Sequence, residues 1–386
     1  MKRPKTVNLN NYNLESNERI LIFAMDIKKI AAAFGIYGEN ISFTECTVGH
    51  INDTYFVRRS PEAQIEFVFQ KINTSIFKNP EQVMENIFNV TAHICKKLSD
   101  EGKDVSRGAL EFLLTVDGKK GYSTEADEYW RVYKYLDDVV SLNSADTPEL
   151  FKKSGYAFGN FQRQLADFDA SVLHETIINF HNTVSRLEDF KAALKNNAAG
   201  RRDAIPEDIK FVLDREDKCS FIVDGIACGK FPLRVTHNDT KLNNLLIDKN
   251  TGDGICIVDL DTVMPGSALY DFGDAIRFGA SSAAEDEADL DKVYIRLDMF
   301  DAYTEGFLKG VNGALTKEEI RAFPMGAYII TFETGIRFLT DYLNGDTYFR
   351  IHREGQNLDR ARNQFKLVAN MEEQMDKLCS IVENYI

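Results

Sequence analysis

The chain has no run of apolar residues approaching the length that spans a bilayer. It has no C-x-x-C pair, and its six cysteines (Cys46, Cys95, Cys219, Cys228, Cys256 and Cys379) are scattered. A chain of 386 residues does not need disulfide staples, so these read as reduced thiols. The six histidines form no H-E-x-x-H, and a zinc site has no support. Only 24 glycines and 8 prolines are present, too few for a collagen-like or low-complexity chain. Basic charge is also short: 46 Lys and Arg against 60 Asp and Glu leave a net −14. Such a balance excludes broad contact with a phosphate backbone, hence nucleic acid as main partner, and gives no attraction to an anionic membrane. The one apolar run near the start, Ile20 to Met25, is too short for a secretory h-region. The expectation is a cytoplasmic protein. With no heptad and no exposed apolar stripe, it is expected to be a monomer.

What is present is enough apolar residue, 44%, to fill real cores. The first third reads as strands at Ile41–Cys46, Thr54–Arg58 and Phe67–Ile72. A helix opens at Pro80, with Val83, Ile87, Val90 and Ile94 at helical spacing. Leu110–Val116 and Tyr129–Leu136 read as a hairpin around Asp117-Gly118, with Trp130 in the core. After Leu136 helical patterns dominate: Thr147–Phe168, Leu173–Lys195, Leu290–Leu308, Lys317–Leu343 and Leu358–Glu383. A β patch, Leu245–Asp248 and Ile255–Asp259, interrupts them, and Asn196–Asp208 reads as a surface loop. The expected class is α+β, with a small β-rich lobe of residues 1–137, including an N-terminal extension, and a larger helical lobe of residues 138–386.

The densest chemistry lies at His237-Asn238-Asp239-Thr240-Lys241-Leu242-Asn243-Asn244, an H-x-D-x-x-x-x-N, followed by an apolar strand ending at Asp259. Phosphoryl transfer needs this set: an Asp to orient the attacking hydroxyl and take its proton, then an Asn and a second Asp for the metal that bridges nucleotide phosphates. Asp239, Asn244 and Asp259 are the right types in the right order. Lys241 can neutralise charge on the transferring group. His237 reads as a brace for the loop rather than a base. The blander account, turn chemistry of Asp and Asn, does not explain the strand that follows. Asp259-Leu260-Asp261 also matches the D-x-D of metal-dependent glycosyltransferases, a reading that leaves His237 to Asn244 unexplained.

These residues are similar to those of the aminoglycoside phosphotransferase and choline kinase superfamily, which shares the two-lobed protein-kinase fold. The resemblance runs from about Ile41 to the C-terminus. Asp259 to Gly266, Tyr270 to Asp274 and Arg337 to Asp346 resemble one class within it, the N-acetylhexosamine 1-kinases. The resemblance implies ATP- and Mg²⁺-dependent phosphorylation of the anomeric hydroxyl of N-acetylglucosamine or N-acetylgalactosamine. Asp239 is then the base, with Asn244 and Asp259 as metal ligands and Asp271 as an internal brace. Asp274 and Arg277 are expected to pair locally, in a structural role. Gly49, Asn52 and Thr54 stand where a phosphate-covering turn belongs. Lys71 is the choice for the nucleotide-pairing lysine, though Gln70 is an alternative, since strand alternation lets only one of them face the nucleotide. Glu85 is its expected partner, and Tyr135 lies in the segment whose backbone reads adenine. Arg337, Asp341, Tyr342 and Asn344 are candidates for sugar contacts, supplying planar polar groups and an aromatic face. Rival readings are a kinase for choline, ethanolamine or homoserine, and a nucleotide-binding pseudokinase.

Overall fold

The structure is a computed structural model that describes residues 26–38, 40–46 and 51–386. The chain divides into two compact units between Val139 and Val140.

The first unit carries an antiparallel sheet. Its strands are β1 (Ser42–Cys46), β2 (Asp53–Arg58), β3 (Phe67–Ile72), β4 (Tyr122–Ser123) and β5 (Tyr129–Lys134), in the order β1-β2-β3-β5-β4. Alternation gives it two distinct faces. On one, Tyr55, Phe69 and Val132 stand in register and pack with Trp130 against Ile27, Ile30 and Phe34. Val68, Gln70, Arg131 and Tyr133 point to the other, where Phe112 joins Tyr133 to Phe88 of the helix Pro80–Asp100. The expected hairpin partner of β5 is corrected. Segment 110–116 meets it only through a bridge at Phe112 and Tyr133, and β4 forms the ladder instead. The Asp117-Gly118 turn closes on itself, from Thr115 N–H to the Lys119 carbonyl, and leaves Val116 exposed.

The second unit is mainly helical. Thr147 caps Pro148–Gln164 through the Leu150 N–H. This helix packs against Leu297–Val311 with almost no side-chain layer between them. A Cβ added at Gly155, Gly159, Gly306 or Gly310 would fall within 3.0 Å of a backbone oxygen of the other helix: Tyr303, Phe307, Lys152 and Tyr156 in turn. Gly306→Ala is therefore expected to destabilise the protein by roughly 1–3 kcal/mol, even though alanine is the better helix former by ~1 kcal/mol. A urea melt reads the difference, and an unchanged or higher midpoint would mean that the seam relaxes freely.

Three expected helices change their bounds. Leu173–Lys195 begins only at Thr183, because Asn179 is left-handed (φ 56°) and Asn182 caps the Thr183–Asn196 helix by accepting from the Ser185 N–H. Lys317–Leu343 breaks at Ala322 into Lys317–Arg321 and Phe323–Asn344, with Pro324 in the first turn of the second. The third starts at Leu297, after a single turn at Leu290–Lys292. The loop expected over Asn196–Asp208 ends at Ile205, since Pro206 opens the helix Pro206–Leu213. Hairpin strands Leu245–Asp248 and Gly254–Ile257 place Asp259 two residues past their end, and Arg234–Thr236 pairs with Met264–Gly266. The helix Ala268–Gly279 follows, capped by Ser267. Among the described residues no helix is long and apolar enough to cross a membrane. None of the six cysteines is in a disulfide.

Candidate active site

The loop from His237 to Asn244 follows the strand Arg234–Thr236 and is held from beneath by the helix Ala268–Gly279. Asp271 is fully buried. Its carboxylate accepts from the His237 N–H (3.0 Å), the Asn238 N–H (2.8 Å) and Gln162 Nε2 (2.7 Å). Burial pushes this carboxyl up, against the pull of those donors. One turn on, Asp274 accepts from the Thr240 N–H at 2.8 Å and pairs with Arg277, which also meets Glu285 at 2.6 Å. The expected local pair is thus a second brace under the loop.

His237 has one acceptor and one donor facing it. Its Nε2 is 2.9 Å from the Val258 carbonyl, and its Nδ1 receives the Asp239 N–H at 3.3 Å. A single ring proton, on Nε2, satisfies both contacts. The same Val258 donates its N–H to the Asn244 carbonyl at 2.9 Å, so Asp259 leaves its strand directly beside the loop.

Asp239 is half-buried and gathers the polar groups of the site. Lys241 Nζ lies 2.8 Å from its Oδ1, and Asn244 Nδ2 donates to its carbonyl at 2.9 Å and to Oδ2 at 3.1 Å. Burial works against its charged form, but the Lys241 ammonium and the Asn244 amide outweigh it, and the carboxyl is held below the ordinary range. Desolvation likewise opposes the Lys241 ammonium, and Asp239 and Asp274 hold it above its usual value. Two non-glycine residues here adopt left-handed backbone: Asn238 (φ 64°), immediately before Asp239, and Asp259 (φ 59°). Asn and Asp tolerate that conformation best, and its concentration at one site marks a backbone held in place by its surroundings.

Asp259 is exposed, whereas Asp261, two residues on, is buried. Among the described residues no three His, Cys, Asp or Glu groups cluster closely enough to hold a metal by themselves. Asn244 and Asp259 suit a hard cation that takes its other ligands from phosphate and water, which is how Mg²⁺ is commonly held.

On the acceptor side, one expectation is corrected. The Asp341 carboxylate accepts from the Thr347 and Tyr348 N–H groups on Oδ1, and from the Phe349 N–H and Asn357 Nδ2 on Oδ2, all at 2.8–2.9 Å. All four acceptor positions are occupied, and Asp341 is a brace for the turn after Gly345 rather than a sugar contact. Tyr342 is half-buried, with the Arg201 guanidinium 4.5 Å from its ring. Asn344 is exposed. Arg337 lies over the rings of Phe180 (5.3 Å) and Phe349 (5.5 Å).

Sequence reasoning missed a buried cluster beside Arg337. Glu333 is fully buried; its Oε1 is 2.8 Å from His181 Nδ1, and its Oε2 accepts from the Thr183 hydroxyl at 2.6 Å. His181 Nε2 is 3.2 Å from the Asn238 carbonyl. Burial opposes the Glu333 charge, but His181, Arg337 and Thr183 together hold the carboxyl below the ordinary range. A depressed carboxylate contributes stability above the ordinary glutamate range and loses it as pH falls through the depressed value. Glu333→Gln is thus expected to cost about 1.5–3 kcal/mol at neutral pH, with the gap to wild type closing in acid. Chemical melts at the two pH values check this, and a gap that widens in acid would refute the charge assignment.

In the first unit the pairing of Lys71 with Glu85 is also corrected. Lys71 Nζ meets Asp53 at 2.8 Å and Glu128 at 3.3 Å. By alternation it shares the face of Phe69, away from the helix that carries Glu85. Gln70 takes the Glu85 face, bonded to Thr54 Oγ1 at 3.0 Å and to Arg131 Nε at 2.9 Å. Arg131 is 2% exposed. Burial and the Glu81 and Glu85 carboxylates push the neighbouring Tyr129 phenol up to about 12, with Arg131 opposing. The Asn52 side-chain oxygen accepts from the Asn73 N–H at 3.0 Å, and the Tyr135 N–H is spent on the Glu66 carbonyl at 2.9 Å, leaving that donor unavailable to an adenine. Gly49 lies outside the described residues.

Residues 42–304 match the profile of the phosphotransferase enzyme family. Solved structures match over nearly the full chain. A choline kinase from Cryptosporidium parvum Iowa II is 13% identical with a TM-score of 0.57, over 95% of this chain and 99% of that one. An ethanolamine kinase from Plasmodium vivax is 13% identical with a TM-score of 0.54, over 92% and 91%. An amicoumacin kinase, solved with AMP-PNP, Ca²⁺ and amicoumacin, is 15% identical with a TM-score of 0.55, over 94% and 96%. At such identities the likeness concerns the fold, which is kinase-like: a small antiparallel sheet region followed by a larger helical one.

Proposed function

Because the chain belongs to the phosphotransferase enzyme family, we propose that it transfers the γ-phosphoryl group of ATP, with Mg²⁺, to the anomeric C1 hydroxyl of an N-acetylhexosamine. The products are the sugar 1-phosphate and ADP. The observation that carries the reaction class is the convergence of Lys241 and Asn244 on the Asp239 carboxylate. Asp239 orients the C1 hydroxyl; as oxygen bonds to the γ-phosphorus, the hydroxyl proton passes to its carboxylate. The bond from that phosphorus to the bridging oxygen breaks, and ADP leaves with the electron pair. Lys241 offsets negative charge on the phosphoryl oxygens. Asn244 and Asp259 would hold Mg²⁺, which supplies charge neutralisation along the phosphates. In the first unit Arg131, bonded to Gln70, is the cation that serves in place of the strand lysine.

The sugar specificity rests on the resemblance of Asp259 to Gly266, Tyr270 to Asp274 and Arg337 to Asp346. Arg337 and Asn344 supply its polar contacts, and Tyr342 offers an aromatic edge. Choline as acceptor would need open aromatic faces for its quaternary ammonium. Arg337 already lies over Phe180 and Phe349, which weighs against it.

ADP release with Mg-ATP, measured against N-acetylglucosamine, N-acetylgalactosamine, galactose, choline, ethanolamine, homoserine and an aminoglycoside, tests the reading, with phosphorus NMR to place the new phosphate. A sugar 1-phosphate is the expected product. Turnover confined to an amino alcohol would remove the sugar assignment and keep the site chemistry; ATP binding without transfer would favour a pseudokinase. In the active panel member, Asp259→Asn is expected to raise the Mg²⁺ needed for half-maximal rate at least about tenfold. A magnesium titration indistinguishable from wild type would take Asp259 out of the metal site.

A further inference from the structure

His181 lies 58 residues before Asp239 and belongs to no catalytic motif, yet it touches the residue on which the geometry of Asp239 depends. Its two ring nitrogens face two acceptors: the Glu333 carboxylate, 2.8 Å from Nδ1, and the Asn238 carbonyl, 3.2 Å from Nε2. His237 provides the contrast within the same loop, since one donor and one acceptor flank its ring and a single proton serves both. At His181 a single proton leaves one nitrogen lone pair against an oxygen lone pair. Both contacts are hydrogen bonds only when the ring carries two protons.

We infer that His181, as an imidazolium paired with buried Glu333, is a positioning residue that clamps the Asn238 carbonyl and so fixes the approach of Asp239. The inference rests on the reading of Asp239 as the catalytic base. Asn238 needs such a clamp. Its left-handed backbone is a high-energy state for a residue with a side chain, and its peptide carbonyl leads directly into Asp239. The rest of Asn238 is tied down already, by its N–H to Asp271 and by Nδ2 to the Thr262 carbonyl at 2.8 Å, and the N–H of the same peptide, from Asp239, goes to His237 Nδ1. The carbonyl contact supplied by His181 completes the set.

Of the charged groups around the ring, Glu333 favours the imidazolium and the guanidinium groups of Arg337 and Arg186 oppose it. Glu333 and Arg337 come from the helix Phe323–Asn344. Arg186, on the helix Thr183–Asn196, feels both of those charges. The Tyr270 ring is 5.1 Å from the imidazole. The Cys219 thiol, pushed up to about 12 by burial and next by Glu333, stays neutral. Glu333 is the one carboxylate bonded to the ring. Protons can reach His181 as well, because it lines a cavity of about 330 Å³ together with Glu175, Asn238, Gly266 and Tyr270. Without the second proton the Asn238 contact is lost, and the loop loosens.

Two readouts test the clamp. In His181→Gln, kcat is expected to fall about tenfold or more while KM for ATP holds, and wild-type kcat is expected to fall as pH rises, a dependence the variant should lack. Amide exchange at Asn238 to Lys241 should be faster than in wild type, a measurement that needs no acceptor and so stands even if the sugar assignment fails. If His181→Gln does not fold, imidazole ¹⁵N NMR of the wild-type protein decides. One ring with two protonated nitrogens should lose its second proton in step with the rise in exchange of those amides. Exchange unaltered across that titration, or a His181→Gln protein with wild-type pH dependence, would overturn the inference.

Discussion

Asp239→Asn is expected to retain the fold and bind ATP, and to lose about 10²–10⁴ in kcat, the usual worth of a positioned base. The substitution preserves size and keeps an oxygen facing Asn244 Nδ2, so the bonds from Asp271 and Asp274 to the loop backbone stand. It removes the proton acceptor and the charge that Lys241 neutralises. The Lys241 ammonium, half-exposed and freed from its 2.8 Å partner, can then move. For that reason the loss should lie in kcat more than in KM for ATP. Coupled ADP-release kinetics and a thermal melt on the same preparation separate chemistry from folding. Turnover near wild type would remove Asp239 from the reaction.

Arg131→Met is expected to lower kcat/KM for ATP by about 10²–10³, the scale for removing one donor from a developing anionic site. Lys71→Met should leave it near wild type. The ranking inverts what the residue types suggest, and the reason is a matter of faces. Lys71 shares a face with Phe69 and Trp130 and is held by Asp53 and Glu128, half-exposed partners of the kind that contribute little. Arg131 stands across from Gln70, on the face of the helix that carries Glu85. A kinase needs a cation and a helix glutamate together at the nucleotide phosphates, and here we assign the cation to the neighbouring strand. ATP titrations of the two variants decide. Loss in Lys71→Met with Arg131→Met near wild type would restore the lysine.

What was legible in the sequence was local. His237, Asp239 and Asn244 sit within eight residues, and the strand before Asp259 carries its own apolar signature, so spacing sufficed to read the loop. The helix at Pro80 was readable for the same reason. The choice between Gln70 and Lys71 was not, because it depends on which face the residues around Ile27 and Ile30 cover, and that is a tertiary fact. Asp341 looked available because its four donors come from beyond Gly345 and from Asn357. His181 and Glu333 are separated by 152 positions, and neither carries a motif. Leu173–Lys195 misled for another reason: its apolar spacing is helical, but Asn179 and Asn182 end the pattern with turn and cap geometry of their own.

The glycine seam between Pro148–Gln164 and Leu297–Val311 bears on how the large unit can move. Packed helices slide past one another when an interdigitated layer of side chains switches rotamers, a shear of small steps. Here backbone meets backbone at Gly155, Gly159, Gly306 and Gly310, and side chains such as Phe151 and Tyr303 meet only beside those crossings. Sliding by a fraction of a turn would drive peptide oxygens into Cα atoms. This helix pair therefore behaves as a stiff keel. Substitutions meant to loosen the large unit without unfolding it belong outside the seam.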